Sequence, residues 1–546
     1  MSRVAAIVYL IFIVLIYLIG AINIDLMDQD VTQYMTIARN MVNSGDYMLI
    51  KWRDDFNYLD KPPLLFWLSS FSMSILGITS FAYRLPSMLV HLLGIFSTYK
   101  LGQRMYNEET GWLSAVVFAS SFGIFVFNHD VRTDTLLTGL TAFSLWQLYS
   151  FLQERKTLNF VLGFIGVGLA ISAKGPIGII VPMLAIIPFL VYQKKWNLLF
   201  NKLWLWSIPI LLIVLAPMII SAYLQHGVKG LEFHFWSQSF GRISGESVWK
   251  DTTGPLYFVH TFLWSFIPWS VLAMVAYFNK IRIAAAGFCN PKSEEVLTLS
   301  GFTLVVILMS MASYKLPHYI YVVFPLISII TARYIQKKQA NLPWEGFGFW
   351  LYLAQLIFDL LLWVAIFITF LWFKPADFLP LIAPLAVFTI YVYTIAGGKS
   401  HSKLILSTLL TMLATALVMN THFYPALNQY QGRVFAGKYL SEHGITENEV
   451  VIYPTSVHKP SIDVYSNNLI MRTSDISDID TLLITQSPLF VFTDEKNLDW
   501  LKIHYPMLTI EKVFDDYQIS LLSLAFLNPD TRQSTLTKLY LIKINQ

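Results

Sequence analysis

The chain has 546 residues, 55% of them apolar and 13% charged, with a net charge of +4. Soluble domains carry about 25% charged residues, so a chain this poor in charge cannot cover a water-facing surface, and much of its outside must face lipid. The small net charge, with no long Lys/Arg cluster, excludes a nucleic-acid footprint, and the single cysteine, Cys289, excludes an internal disulfide and a cysteine-rich metal site.

The first apolar run, Val4–Leu26, follows Ser2-Arg3. It is too long for a signal-peptide core and no small-residue cleavage site follows, so it is expected to stay as a first span. Further runs near 82–104, 110–127, 134–152, 158–173, 175–193, 204–222, 256–278, 296–313, 317–335, 347–373, 378–396 and 402–421 approach spanning length. They predict a polytopic α-helical membrane protein with about 13 transmembrane helices. The stretch Pro62–Gly77 is apolar but short and rich in serine, and is expected to lie at the interface or re-enter. With the N-terminus inside, the inner loops hold Arg3, Lys100 and Arg104, Arg155 and Lys156, Lys194, Lys195 and Lys202, Lys280, Arg282 and Lys292, Arg333, Lys337 and Lys338, and Lys399 and Lys403. Every inner loop but the N-terminus then has its own basic pair or triplet, as the positive-inside rule requires. Two long loops, about 27–81 and 223–255, fall outside, and an odd number of spans leaves the C-terminus outside too. After Asn420 the composition turns polar. Val450–Tyr453, Leu489–Phe492 and Leu539–Ile544 read as strands and Arg433–His443 as an amphipathic helix. The expected division is a membrane domain over 1–424 and a soluble α/β domain over 425–546.

Chemistry gathers at the outer ends of the spans. Asp30 opens a segment with apolar positions 34, 37, 38 and 41 at helical spacing, which predicts an amphipathic helix lying on the membrane. A carboxylate there is favoured by the helix end and could equally be a simple cap. In Tyr58-Leu59-Asp60-Lys61-Pro62-Pro63, two prolines fix the backbone beside Lys61. A rigidly held ammonium at headgroup level suits a phosphate, although snorkelling lysines are common at membrane edges. Asn128-His129-Asp130-Val131-Arg132-Thr133-Asp134 places four ionisable groups where a span begins, a costly position that points to function. His129 and Asp130 are candidate metal ligands without a third nearby. Lys174-Gly175-Pro176 and Tyr314-Lys315-Leu316-Pro317-His318-Tyr319 interrupt apolar runs on the same side, and the second long loop adds His234, Arg242, Glu246, Lys250, Asp251 and His260. Acids able to serve as a base and cations able to hold a phosphate thus share one membrane depth.

The run Asp30–Met41, the Asp60-Lys61-Pro62-Pro63-Leu64 turn, Arg132-Thr133-Asp134 and Lys315-Leu316-Pro317-x-Tyr319 resemble the GT-C glycosyltransferases. Within these they are similar to the protein O-mannosyltransferase and lipid A aminoarabinose transferase group, over roughly residues 1–335. The resemblance implies an inverting transfer from a polyprenyl-phosphate sugar, without a nucleotide donor, on the periplasmic face of a bacterial inner membrane. The implied acceptor is lipid A or another glycolipid, with a protein acceptor as the alternative. Matched by motif, Asp30 and Asp134 are the catalytic acids, and Lys61, Lys174, Arg242 and Tyr319 belong to the donor phosphate. Arg132, Lys315 and His318 are further candidates. The chain departs from the group at Val31, where an acid often follows the first aspartate, and at Asp60, where glutamate is usual. No cofactor or metal is assigned; a divalent metal stays an open alternative. The competing classes are a transporter or flippase, which predicts midplane charges and an internal repeat of spans, and a structural protein with a sensor-like outer domain, which leaves Asp30 and Lys61 unexplained.

Overall fold

The structure, a computed structural model, describes residues 2–27, 30–53, 56–238, 241, 253–286, 295–339, 347–375, 377–397 and 401–545. Each of the apolar runs carries helix. From the N-terminus these are α1 (Arg3–Asn23), α2 (Asp30–Ser44), α3 (Leu64–Leu76), α4 (Ser80–Met105), α5 (Glu108–Ala119), α6 (Phe122–His129), α7 (Thr133–Glu154), α8 (Thr157–Lys174) and α9 (Ile177–Tyr192). There follow α10 (Ser207–Glu232), α11 (Tyr257–Ser265), α12 (Ser270–Ala286), α13 (Glu295–Ser310), α14 (Phe324–Gln339), α15 (Phe347–Trp372), α16 (Leu379–Ala396) and α17 (His401–Val418). Side-chain caps fix several starts: Ser2, Thr79 and Asn107 accept from the backbone N–H groups of Ala5, Ala82 and Thr110. Among the described residues, seven helical segments are long and apolar enough to cross a membrane by length and composition. The chain is a multi-pass membrane protein.

Two apolar runs that read as single spans are each broken in two. The run 110–127 breaks at Ser120-Ser121, and the run 256–278 breaks over 266–269 around Pro268, which has no N–H to continue a helix. The breaks satisfy one another: the Phe122 N–H donates to the Ile267 carbonyl at 2.9 Å, and the Trp269 indole N–H donates to Ser120 Oγ at 2.9 Å. Hydropathy alone cannot reveal this pairing, because both broken ends remain apolar. The stretch after Pro63 forms α3, a helix of 13 residues.

Beyond α17 the chain builds a five-stranded sheet from β3 (Val450–Ile452), β4 (Met471–Arg472), β5 (Leu489–Asp494), β6 (Thr509–Asp516) and β7 (Thr537–Ile544); the first-loop hairpin holds β1 (Lys51–Arg53) and β2 (Phe56–Asn57). The large sheet has the order β4-β3-β5-β7-β6. β3 runs parallel to β4 and β5, and β7 runs antiparallel to β5 and β6. Alternation sends Ile452, Phe492 and Leu541 to one buried cluster with Leu440, and Val451, Val491 and Ile542 to the other with Leu501. The helices α18 (Gly432–Glu442), α19 (Pro460–Ser466), α20 (Ile476–Thr485) and α21 (Glu495–His504) flank the sheet.

One buried carboxylate ties this sheet unit to the first long loop. Asp463, on α19, is fully buried and accepts from Arg53 Nη1 at 2.8 Å and from the Ile470 N–H at 3.1 Å; His458 Nε2 lies 2.8 Å away. Its backbone carbonyl accepts from Arg39 Nη1 of α2 at 2.8 Å. Lys438 pairs with Asp25 at 2.8 Å, and Tyr465 Oη accepts from the Leu26 N–H at 2.6 Å. The amphipathic helix α2 is therefore tied to the sheet unit through Arg39, while its Ile37, Ala38 and Met41 are buried.

Candidate active site

Five chain interruptions deliver side chains to one end of the bundle. The first is the start of α2, where Asp30 occupies the first turn and its charge opposes the positive end of the helix. The second is the Pro62-Pro63 turn, which stops one segment and starts α3, leaving Lys61 half-buried. The third is the start of α7, where Arg132 is extended and Asp134 sits in the first turn. The fourth is the end of α8 at Lys174, and the fifth is a short 3-10 turn, Pro317–Val323, that carries His318 and Tyr319. Gly175 has φ +83, a left-handed value that ends α8 and turns the chain into Pro176 and α9.

These groups converge. Asp30, Lys61, Arg132, Asp134, Lys174, His318 and Tyr319 all line one cavity. Arg132 bridges two acids, Nη1 to Asp30 at 2.9 Å and Nε to Asp130 at 2.5 Å. Burial opposes its charge, but Asp130 and Asp30 outweigh that cost and hold the guanidinium above its ordinary value. Asp134 is 5% exposed and pairs with Lys174, while His318 Nε2 lies 3.6 Å from its other oxygen. The Lys174 ammonium stands 4.0 Å from the centre of the Tyr319 ring, a cation–π contact.

Two of the ionisable groups singled out in the sequence stand outside the set that lines the cavity. Lys315 donates to the Thr253 carbonyl at 3.1 Å and is not among the residues that line the cavity. Asp130 accepts from Arg132 Nε at 2.5 Å. Among the described residues no three His, Cys, Asp or Glu side chains gather as a ligand set. Arg242, Glu246, Lys250 and Asp251 lie outside the described residues, as does the side chain of His129.

The cavity also holds residues to which the motifs gave no role. Tyr34 lies one helical turn after Asp30, a spacing that places both on one face of α2. Burial, then Tyr58 and the Asp30 carboxylate, raise its phenol well above the usual range, so at neutral pH it is a hydrogen-bond donor. Asp60 and Gln238 also line the cavity, and so does His234, whose buried Nδ1 has no partner among the described residues. With Asp60 included, three carboxylates and three permanent cations face one opening. Such a set can hold a phosphate against cations while keeping carboxylates beside the atom that phosphate leaves.

A family model described as dolichyl-phosphate-mannose-protein mannosyltransferase matches residues 60–221. An undecaprenyl phosphate-alpha-4-amino-4-deoxy-L-arabinose arabinosyl transferase of Proteus mirabilis is 27% identical over 346 residues, covering 61% of this chain and 60% of that protein. Its counterpart from Photorhabdus laumondii is 23% identical, covering 61% and 59%. The chain thus spans about 60% of the length of these relatives. The crystal structure of ArnT from Cupriavidus metallidurans bound to undecaprenyl phosphate superposes with a TM-score of 0.76 at 14% identity, covering 99% of this chain and 98% of that one. The archaeal oligosaccharyltransferase AglB from Archaeoglobus fulgidus, in complex with an inhibitory peptide and a dolichol-phosphate, gives 0.50 at 13% identity, covering 92% and 71%.

Proposed function

We propose that this chain, a GT-C-type membrane protein of the aminoarabinose transferase and protein mannosyltransferase group, transfers a sugar from a polyprenyl phosphate to lipid A or another glycolipid. The observation that carries the proposal is the meeting of Lys61, Lys174 and Arg132 with Asp30 and Asp134 in one cavity. The relatives named as arabinosyl transferases and the neighbour that binds undecaprenyl phosphate support the donor class. The positive-inside distribution of Lys and Arg supports a periplasmic site.

In this reading Lys61 and Lys174 hold the phosphate of the donor. An acceptor oxygen attacks the anomeric carbon from the face opposite the phosphate, inverting the centre. The bond from that carbon to the phosphate oxygen breaks, its electron pair stays on the oxygen, and polyprenyl phosphate leaves. The lysines stabilise the growing charge, a contribution that commonly exceeds that of a base. Asp30 is already paired with Arg132 at 2.9 Å, which holds it in place as an orienting group. That suits an acceptor phosphate, which is already ionised and gives up no proton. With a hydroxyl acceptor the proton would pass to Asp30 or Asp134.

The match of residues 60–221 to a protein mannosyltransferase model favours a second reading, a protein acceptor. Mass spectrometry of envelope lipids and glycoproteins from a deletion strain separates the two. The proposal expects a glycolipid that loses one sugar on deletion and regains it on complementation. Loss of sugar from proteins alone would select the second reading, and no change in either fraction would overturn both.

A further inference from the structure

The sheet unit carries an apolar segment with no role in the site just described. From Tyr517 to Asn528 the chain has no charged residue, and Leu521 and Leu524 are 67% and 77% exposed. Moving such side chains into an apolar medium is favourable, so leaving both leucines in water is unfavourable. The segment is also rigid by construction. Tyr517 stacks on Phe526 with ring centres 3.8 Å apart, its hydroxyl donates to the Leu521 carbonyl at 3.0 Å, and the Ser523 N–H donates back to that hydroxyl at 3.2 Å.

Its position identifies what it faces. Arg532 Nη2 donates to the Trp372 carbonyl at 3.0 Å, and its guanidinium lies 4.1 Å from the Phe373 ring centre. Ile519 and Phe526 share a buried cluster with Phe373. The segment is thus fastened to the link between α15 and α16. Those helices are mostly uncovered along their apolar spans, and Phe378 and Leu379, at the start of α16, are 82% and 73% exposed. Helices of that kind end where hydrocarbon gives way to headgroups.

We propose that residues 520–525 dip into the same membrane leaflet that meets the ends of α15 and α16, so that the sheet unit rests on lipid as well as on protein. The partner is the lipid surface itself, and the apolar band of α15 and α16 continues into the loop. This contact fixes the height of the sheet unit above the bundle, and with it the Asp463 clasp on α2. The proposal goes beyond the transferase reading and does not depend on it.

The test uses the full-length protein in nanodiscs of phosphatidylethanolamine and phosphatidylglycerol. On a Cys289→Ser background, Leu521→Cys, Leu524→Cys and Asp499→Cys each carry a nitroxide, and collisions with oxygen and with a water-soluble nickel chelate are compared. The expected oxygen-to-nickel ratio at 521 and 524 is several-fold above that at 499, which projects from α21 into water. Equal ratios at the three sites would overturn the proposal. If the cysteine-free protein does not fold, a phospholipid with a photoreactive acyl chain is applied to the unaltered protein. Adducts within 518–527 support the contact, and adducts confined to the spans refute it.

Discussion

Two buried ion pairs occupy opposite ends of the helix bundle, and only one of them is placed to act. Lys174 and Asp134 join the end of α8 to the start of α7, with side-chain exposures of 17% and 7%. Lys280 and Glu295 join the second half of α12 to the start of α13, with exposures of 1% and 9%. The first pair opens onto a cavity that also holds Lys61, Arg132 and Asp30. Over the second pair lies the Tyr106 ring, 5.6 Å from the Lys280 ammonium and 4.7 Å from the Arg333 guanidinium. Buried opposite charges are in themselves a way of closing a packing problem, and often a neutral one for stability. What marks a site is access, together with further charges at the same opening.

Substitutions can sharpen or break that contrast. The largest effect is expected from Asp30→Asn, which keeps size and capping while removing the charge paired with Arg132. Turnover should fall by roughly 10²–10⁴-fold with expression intact, measured as sugar transferred by the reconstituted protein. A normal rate would reduce Asp30 to a helix cap. Lys61→Ala comes next. A hydrogen bond to a charged group is worth about 1.5–3 kcal/mol, so the KM for the donor should rise about 10–100-fold, and Lys61→Arg should restore it only in part because a fork replaces a point charge.

Much of the site is legible in the sequence because it lies where apolar runs stop. Asp30, Lys61, Asp134, Lys174, His318 and Tyr319 all stand at such ends. The role of Arg132 is not legible locally, since its partner Asp30 lies 102 residues away in the chain and no local spacing encodes that contact. Lys315 has the same sequence setting as the cavity cations but turns to a backbone carbonyl, a choice made by the neighbouring loop. In the sheet unit the central strands β3, β5 and β7 announce themselves as apolar runs, whereas β6 lies at the edge with most residues exposed and reads as polar chain. The Asp463 clasp leaves no local pattern at all, because Arg39, Arg53 and Asp463 meet only after folding.

Smaller effects should come from that clasp and from the closed pair. Asp463→Asn weakens the hold on Arg53, and α2 should exchange its amide hydrogens faster, with a stability loss of about 1.5–3 kcal/mol. Unchanged exchange in residues 30–44 would show that α2 stands without the sheet unit. Replacing both members of the closed pair, Lys280→Met with Glu295→Leu, should leave turnover unchanged and stability nearly so. Glu295→Ala alone should cost about 3–5 kcal/mol by leaving Lys280 buried and unpaired. A loss of turnover in the double variant would erase the distinction between the two ends.

The most direct measurement is the affinity of the protein in nanodiscs for polyprenyl phosphate, read by native mass spectrometry for three forms: unaltered, Lys61→Ala, and Lys280→Met with Glu295→Leu. The account predicts that Lys61→Ala weakens binding about tenfold or more while the double variant binds like the unaltered protein. Equal binding by all three forms, or a loss confined to the double variant, would contradict it.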